Sequence, residues 1–185
     1  MQHRTTTKEW IAKSFIELTQ KKSIDKITIK DIVTNCGLTK ATFYNYFQDK
    51  YDLIVWIYTE PVKNIIGKIN NTDFNFRKAL TANLSYFAEN RHYLINALTS
   101  TSGHNSFLNY VFRVNFTLLH DFVKSVNNNK KLPSRITALI KLYVFGTVQF
   151  ECDWLINDMP MSIEEFADIL EAGVPEELKS YLYKT

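Results

Sequence analysis

Lys40, Thr42, Tyr44 and Asn45 place a positive charge, a hydroxyl, a phenol and an amide within six consecutive residues. Each of these groups can meet nucleic acid. A lysine can donate to the O6/N7 edge of guanine, an asparagine can pair with the N6/N7 edge of adenine, and hydroxyls and phenols commonly bond phosphate oxygens. Phe43 and Phe47, four residues apart, give the same segment an apolar back. The spacing predicts a helix over 40–47. Eight residues are too few to form a stable helix alone, so neighbouring elements must hold it.

Those elements are legible just upstream. Thr28-Ile29-Lys30-Asp31 has a hydroxyl followed three residues later by an acid, the pattern of a reciprocal N-terminal cap. A second helix is expected from there to about Asn35, with Ile29, Ile32 and Val33 inward. Gly37 supplies a left-handed exit, and Thr39 can cap the helix that follows. Two helices joined by a short glycine turn predict a helix-turn-helix, whose second helix enters the major groove while the first crosses the backbone. A first helix over about 7–21 is predicted by Trp10, Ile11, Phe15 and Leu18. Asp49, with Asp52 three on, is expected to cap a fourth helix beginning at Lys50. Pro61 is expected to kink or end it.

The rest of the chain also reads as helix. Five glycines and four prolines in 185 residues are too few for an all-β chain. Asp73 or Asn75 is expected to open a helix with Phe76, Leu80, Leu84 and Phe87, followed by a shorter one over 91–101 and a break at Ser102-Gly103. A long aromatic helix is expected over 104–128, with Phe107, Val111, Val114, Leu118, Leu119 and Phe122. Pro133 opens another, to about Asn157, that is apolar on nearly every side and so is central or lies at a subunit interface. Ser162 and Glu165 suggest a further cap, with short helices near 162–172 and 175–183. The expected organisation is a DNA-binding head over 1–50 and a helical body over 51–185.

Charge is unevenly distributed. Residues 1–50 carry nine Lys/Arg against five Asp/Glu, whereas residues 51–185 carry thirteen against fourteen. A basic head on an acidic body fits a polyanionic partner. No apolar run approaches a membrane span, and the N-terminus lacks the apolar core of a secretory signal. Cys36 and Cys152 form neither a disulfide framework nor a CxxC pair. The expected location is the cytoplasm. Glu89 and His92 make one ExxH pair, where a di-iron bundle needs two pairs and two further carboxylates. His3, His92, His104 and His120 are scattered, and no nucleophile elbow, phosphate loop or dinucleotide fingerprint occurs. No metal or cofactor is expected. A DNA-binding regulator leads over a helical enzyme or a helical interaction protein without DNA binding.

The run Thr28-Ile29-Lys30-Asp31-Ile32-Val33, then Cys36-Gly37-Leu38-Thr39-Lys40-Ala41-Thr42-Phe43-Tyr44-Asn45-Tyr46-Phe47-Gln48-Asp49-Lys50-Tyr51-Asp52-Leu53, resembles the TetR family of bacterial transcription regulators over about residues 7–58. The resemblance implies an all-α homodimer: a three-helix helix-turn-helix head and a regulatory C-terminal helical bundle body over 51–185 that dimerises and usually holds a ligand pocket. It implies a dimeric repressor released by a small-molecule effector, on a palindromic operator whose half-sites lie about 34 Å or somewhat more apart. Carried over by position, Thr28 meets a phosphate at the start of helix two. Thr39 and Thr42 face the groove wall, and Ala41 allows close approach. Lys40 and Asn45 reach base edges, Tyr44 clamps a phosphate and Lys50 anchors the backbone. Tyr46 stands where His is common, and Asn45 where Arg or His is commoner.

Phe43 to Phe47 and Trp56-Ile57-Tyr58 are also similar to the branch of the family that activates dihydroxyacetone kinase operons. That similarity implies, as an alternative, an activator controlled by a protein partner. In the body, Asn115, His120, Gln149 and Glu151 interrupt apolar helices. They can line an effector pocket, pair with one another, or face water. Tyr86, Tyr93, Phe112, Phe116, Tyr143 and Phe150 can wall such a pocket or simply be core. The family's dimer interface would map onto 104–128 and 135–156, with Gly146 permitting a close crossing.

Overall fold

The computed structural model describes residues 5–69, 75–101 and 106–183. The expected cap at Asp73, the break at Ser102-Gly103, and His3 and His104 lie outside the described residues. The described residues form helices α1 (Thr7–Thr19), α2 (Ile29–Asn35), α3 (Lys40–Tyr44), α4 (Lys50–Gly67), α5 (Phe76–Glu89), α6 (Arg91–Thr99), α7 (Phe107–Val126), α8 (Ser134–Ile156), α9 (Ile163–Ala172) and α10 (Glu176–Leu182). A short 3-10 helix, Ile24–Lys26, lies between α1 and α2. There is no strand among the described residues, so the fold is all-α. No described helix is long and apolar enough to cross a membrane.

Two compact units emerge: residues 1–59 with 92–107, and residues 60–91 with 108–185. This differs from the contiguous 1–50 and 51–185 division, because α6 packs with the head. Tyr93 is fully buried there and donates its phenol to the Ile54 carbonyl at 2.9 Å. Asn96 uses both ends of its amide: Oδ1 accepts from the Ile24 backbone N–H at 2.9 Å, and Nδ2 donates to the carbonyls of Thr19 (3.1 Å) and Lys22 (2.8 Å). These groups lie at the end of α1, in the link after it and at the start of the 3-10 helix, where backbone groups lack regular helical partners.

Local chemistry explains most boundaries. Thr6 and Glu9 form a complete capping box on α1, and Thr28 and Asp31 form one on α2. Asn75 caps α5 and Ser162 caps α9, each accepting one backbone N–H. Pro61 does not end its helix; it lies inside α4. A proline removes one rung of the ladder. The buried run Leu53, Ile54, Ile57, Tyr58 and Val62 keeps α4 packed through that gap.

In the second unit α5 lies along α9. Arg77 of α5 pairs with Asp168 at 2.8 Å and Glu164 at 3.1 Å on α9. Tyr143 of α8 donates to the Leu170 carbonyl at 3.0 Å, and Phe166 of α9 packs edge-on to Phe150 and beside Trp154. Arg135 holds Glu177 of α10 through both of its carboxylate oxygens at 2.7–3.0 Å.

Candidate functional site

The head builds its polar face on an aromatic floor. Phe43 and Phe47 are buried, with ring centres 5.7 Å apart, and Phe47 meets Trp56 of α4 edge-on at 5.8 Å. The Lys8 ammonium lies 5.6 Å from the Phe47 ring centre and 5.7 Å from that of Trp56. A cation over two aromatic faces ties α1 to this floor. Ser14 of α1 donates to the Ile32 carbonyl of α2 at 2.7 Å, and Asn35 donates back to Ser14 Oγ at 3.1 Å. Together these contacts supply what a five-residue helix lacks.

The turn between α2 and α3 is a full Schellman exit. The Leu38 N–H reaches the Val33 carbonyl at 2.8 Å and the Gly37 N–H the Thr34 carbonyl at 3.3 Å. Gly37 has φ +68°, a left-handed conformation that favours glycine. Thr39 then accepts the Thr42 N–H at 3.1 Å, and its hydroxyl meets that of Thr42 at 3.0 Å. Helix α3 is shorter than the expected 40–47 segment. It ends at Tyr44, and Asn45 is its cap. Beyond it, the N–H groups of Tyr46 and Phe47 both reach the Phe43 carbonyl at 3.0 Å, a tight turn that lets Phe47 fold back onto Trp56.

That geometry leaves Lys40, Ala41, Tyr44, Asn45 and Tyr46 exposed, with Thr39 beside them and Thr42 half-buried. Tyr44 is 55% exposed although its ring edge rests on Phe43, so the phenol projects from a fixed base. Thr28 is exposed at the start of α2. Its hydroxyl donates to Asp31 at 2.8 Å and accepts the Asp31 N–H at 3.1 Å. The Thr28 backbone N–H, followed by that hydroxyl, holds the Asp31 carboxyl below the usual carboxylate range.

The Lys50 ammonium is turned toward its own chain. It donates to the carbonyls of Ile24 (2.6 Å), Ile27 (2.8 Å) and Asp25 (3.3 Å). Three N–H groups meet three carbonyls around the 3-10 helix. Partial burial pushes the ammonium pKa down, partly opposed by the Asp25 charge. Lys50 therefore positions the approach to α2.

The body contains a cavity of about 70 Å3 lined by α4, α5, α7 and α8. Of the four expected polar residues, Glu151 and Asn115 line it and His120 and Gln149 do not. Gln149 is exposed and donates to Asp153 at 3.1 Å. The His120 ring lies against Phe116 with 5.6 Å between ring centres. Of the six candidate aromatics only Tyr143 reaches the wall. Phe112 instead stacks on Phe145, and Tyr93 belongs to the first unit.

Glu151 is 2% exposed and accepts one hydrogen bond, from Asn83 Nδ2 at 2.9 Å. Burial pushes its carboxyl pKa up to about 8, opposed only by the Asn83 bond. Asn83 was missed from sequence, although its position three residues after Leu80 puts it beside the apolar stripe of α5. Among the described residues no group of three or more His, Cys, Asp and Glu side chains is placed to hold a metal.

Two family models match. One, described as bacterial regulatory proteins of the tetR family, covers residues 16–55; the other, described as a transcriptional regulator C-terminal region, covers residues 75–174. The chain is 31% identical over 91 residues to the HTH-type dhaKLM operon transcriptional activator DhaS of Lactococcus lactis. That alignment covers 49% of this chain and 48% of the other, so the match spans about half the length of this curated relative. Among solved structures, a dihydroxyacetone kinase operon activator DhaS superposes with a TM-score of 0.65 at 20% identity, covering 91% of this chain and 96% of that one. A TetR transcriptional regulator from Streptococcus agalactiae superposes with a TM-score of 0.63 at 20% identity, covering 92% and 94%.

Proposed function

Because the chain belongs to the TetR family of bacterial regulators, we propose that it is a sequence-specific DNA-binding transcription regulator, not an enzyme, and acts in the cytoplasm as a homodimer. The observation that carries this reading is the exposed Lys40, Tyr44 and Asn45 face, set on buried Phe43 and Phe47 and entered through the Gly37 turn. In this reading Lys40 and Asn45 read base edges in the major groove. Thr28, Thr39, Thr42, Tyr44 and Tyr46 bind phosphates or line the groove wall, and Ala41 allows close approach. The operator is double-stranded and palindromic, matching a two-fold dimer.

The dimer reading is supported by α8. Leu142 (69% exposed), Phe145 (50%), Phe150 and Ile156 recur along it as exposed apolar side chains, and neighbouring α9 adds exposed Ile169. Such a stripe is what a two-fold helical interface buries. In this reading the interface runs along α8 with α9, whereas the family resemblance implied 135–156 with the 104–128 segment. A Cβ at Gly146, on the same exposed side of α8, would meet nothing within 4 Å in the single chain.

The regulator is read as a repressor released by a small molecule, supported by the body cavity with its buried Glu151. A second reading, an activator controlled by a protein partner, is favoured by the description of the Lactococcus lactis relative as an operon activator. A footprint upstream of the protein's own gene, with and without small-molecule extract of the source cell, tests both. A palindromic footprint abolished by extract supports the ligand-released repressor; one indifferent to extract supports the partner-controlled activator. If selection from random DNA also yields no preferred sequence, the DNA-binding reading fails.

A further inference from the structure

The body cavity has an unusual balance of polar groups. Its wall is apolar on most sides, with Val62, Ile65, Leu80, Leu119 and Val148 among the lining. Among the described residues, two acceptors are under-satisfied: Glu151 has a single donor, Asn83 Nδ2, and the buried Asn83 Oδ1 has no hydrogen-bond partner. Glu151 is buried with no Lys, Arg or His among the described lining residues. The wall's amide donors already have acceptors: Asn83 Nδ2 bonds Glu151, and Asn115 Nδ2 bonds the Val111 carbonyl at 2.9 Å. The Tyr143 phenol donates to the Leu170 carbonyl. A buried carboxyl with one donor and a buried amide oxygen with none are both costly. An occupant that brings donors relieves both costs.

We propose that this cavity binds a small apolar cation, an alkylammonium, whose charge pairs with Glu151 and whose second N–H bonds Asn83 Oδ1. The class follows from the site. A hydrocarbon or a carboxylate would bring no donor to Asn83 Oδ1 and no positive charge to Glu151, and an alcohol brings one donor and no charge. Size points to a short chain: about 70 Å3, at roughly 10–15 Å3 for each water-sized position, accommodates about five heavy atoms. The charged partner also changes the state of Glu151. Without it, burial keeps the carboxyl protonated at neutral pH, with only Asn83 bonding it and Tyr143 and Cys152 as its neighbouring titratable groups. With an ammonium bound, the carboxyl is ionised and its proton leaves to solvent. This assignment rests on reading the body as an effector-binding unit and names the effector's chemistry.

The test uses the full chain, with butylammonium, butanol and butyrate as probes of one length and three head groups. Binding is followed by nuclear magnetic resonance, with the Glu151 carboxyl carbon as reporter. Butylammonium is expected to bind at least ten-fold tighter than butanol or butyrate and to lower the apparent Glu151 pKa by more than one unit. Glu151→Gln is expected to remove the ten-fold preference. Butanol or butyrate binding as tightly as butylammonium overturns the proposal. So does a Glu151 carboxyl that stays protonated at saturation, or no binding by any probe. The reporter signal of the wild-type chain decides the matter even if the variant folds poorly. Operator binding without probe, measured on the same preparation, is a separate readout, so loss of the amine site and loss of the regulator reading are told apart.

Discussion

Lys50, at the first turn of α4, donates its ammonium to the Ile24 carbonyl at 2.6 Å, across twenty-six residues of sequence. With Ile27 and Asp25 also accepting, one side chain satisfies the 3-10 helix that leads into α2. The head is therefore held together by a cation that, from sequence alone, looks available for phosphate.

Lys50→Met keeps the aliphatic stem and removes the donor shared by the carbonyls of Ile24, Asp25 and Ile27, of which Ile24 keeps the Ile27 N–H. Stability is expected to fall by about 1–3 kcal/mol, read as a lower urea midpoint. Once saturating folded protein is compared, the salt dependence of DNA binding should match wild type. Lys40→Ala should behave oppositely: stability is kept, and if the lysine neutralises a phosphate, the slope of log K against log salt falls by about 0.9. If Lys40 instead reads a base edge, the loss concentrates on one operator position. A Lys50→Met slope reduced by one contact would restore the anchor role.

Asn45 and Tyr44 sit side by side at the end of α3, both exposed, yet different effects are expected. Asn45→Ala should relax preference at one operator position, with a discrimination loss of about 1–3 kcal/mol against the wrong base. Tyr44→Phe removes only a hydroxyl and should weaken binding about equally across operator variants. Electrophoretic titration of a small set of single-base variants separates the two. Equal losses for every variant with Asn45→Ala would refute its base-reading role.

What the sequence made legible was short-range. The Thr28–Asp31 box, the Thr39 and Ser162 caps and the left-handed Gly37 all depend on residues within four positions of one another, and local hydrogen bonding decides them. Long-range choices were not legible. Whether Lys50 points outward or back to Ile24 depends on where a loop twenty-six residues away arrives. Asn96 looks like an ordinary helix-surface amide until the α1 link passes beneath it. On α8, apolar residues surround the helix, so no periodicity separated Glu151, which is buried, from Gln149, which is exposed two residues earlier.

Phe145 is half exposed although its ring stacks on Phe112 with centres 3.6 Å apart. A charge at this position should disfavour burial against a second copy more than it disturbs the single chain. Phe145→Glu is expected to give a monomer by sedimentation at micromolar concentration, with helical content by circular dichroism retained. Operator affinity should fall by orders of magnitude, because the second half-site contact is no longer intramolecular. A dimer that persists with both Phe145→Glu and Leu142→Glu would move the interface elsewhere.

Glu151 makes stability depend on pH in a direction opposite to that of most carboxylates. Its folded pKa is raised to about 8 from an ordinary 4.5. Between these values the folded chain holds the proton and the unfolded chain does not. The contribution is fully present below about pH 4.5 and is lost as pH rises toward 8, at roughly 1.4 kcal/mol per pH unit. Glu151→Gln keeps the size and the Asn83 contact but cannot ionise. Urea unfolding at pH 5, 6, 7 and 8 should therefore show wild-type stability falling relative to the variant across the series, with the variant the more stable at pH 8. Parallel curves for the two proteins would mean that Glu151 is ionised in the folded state at neutral pH, and that a cation or water reaches it without any ligand.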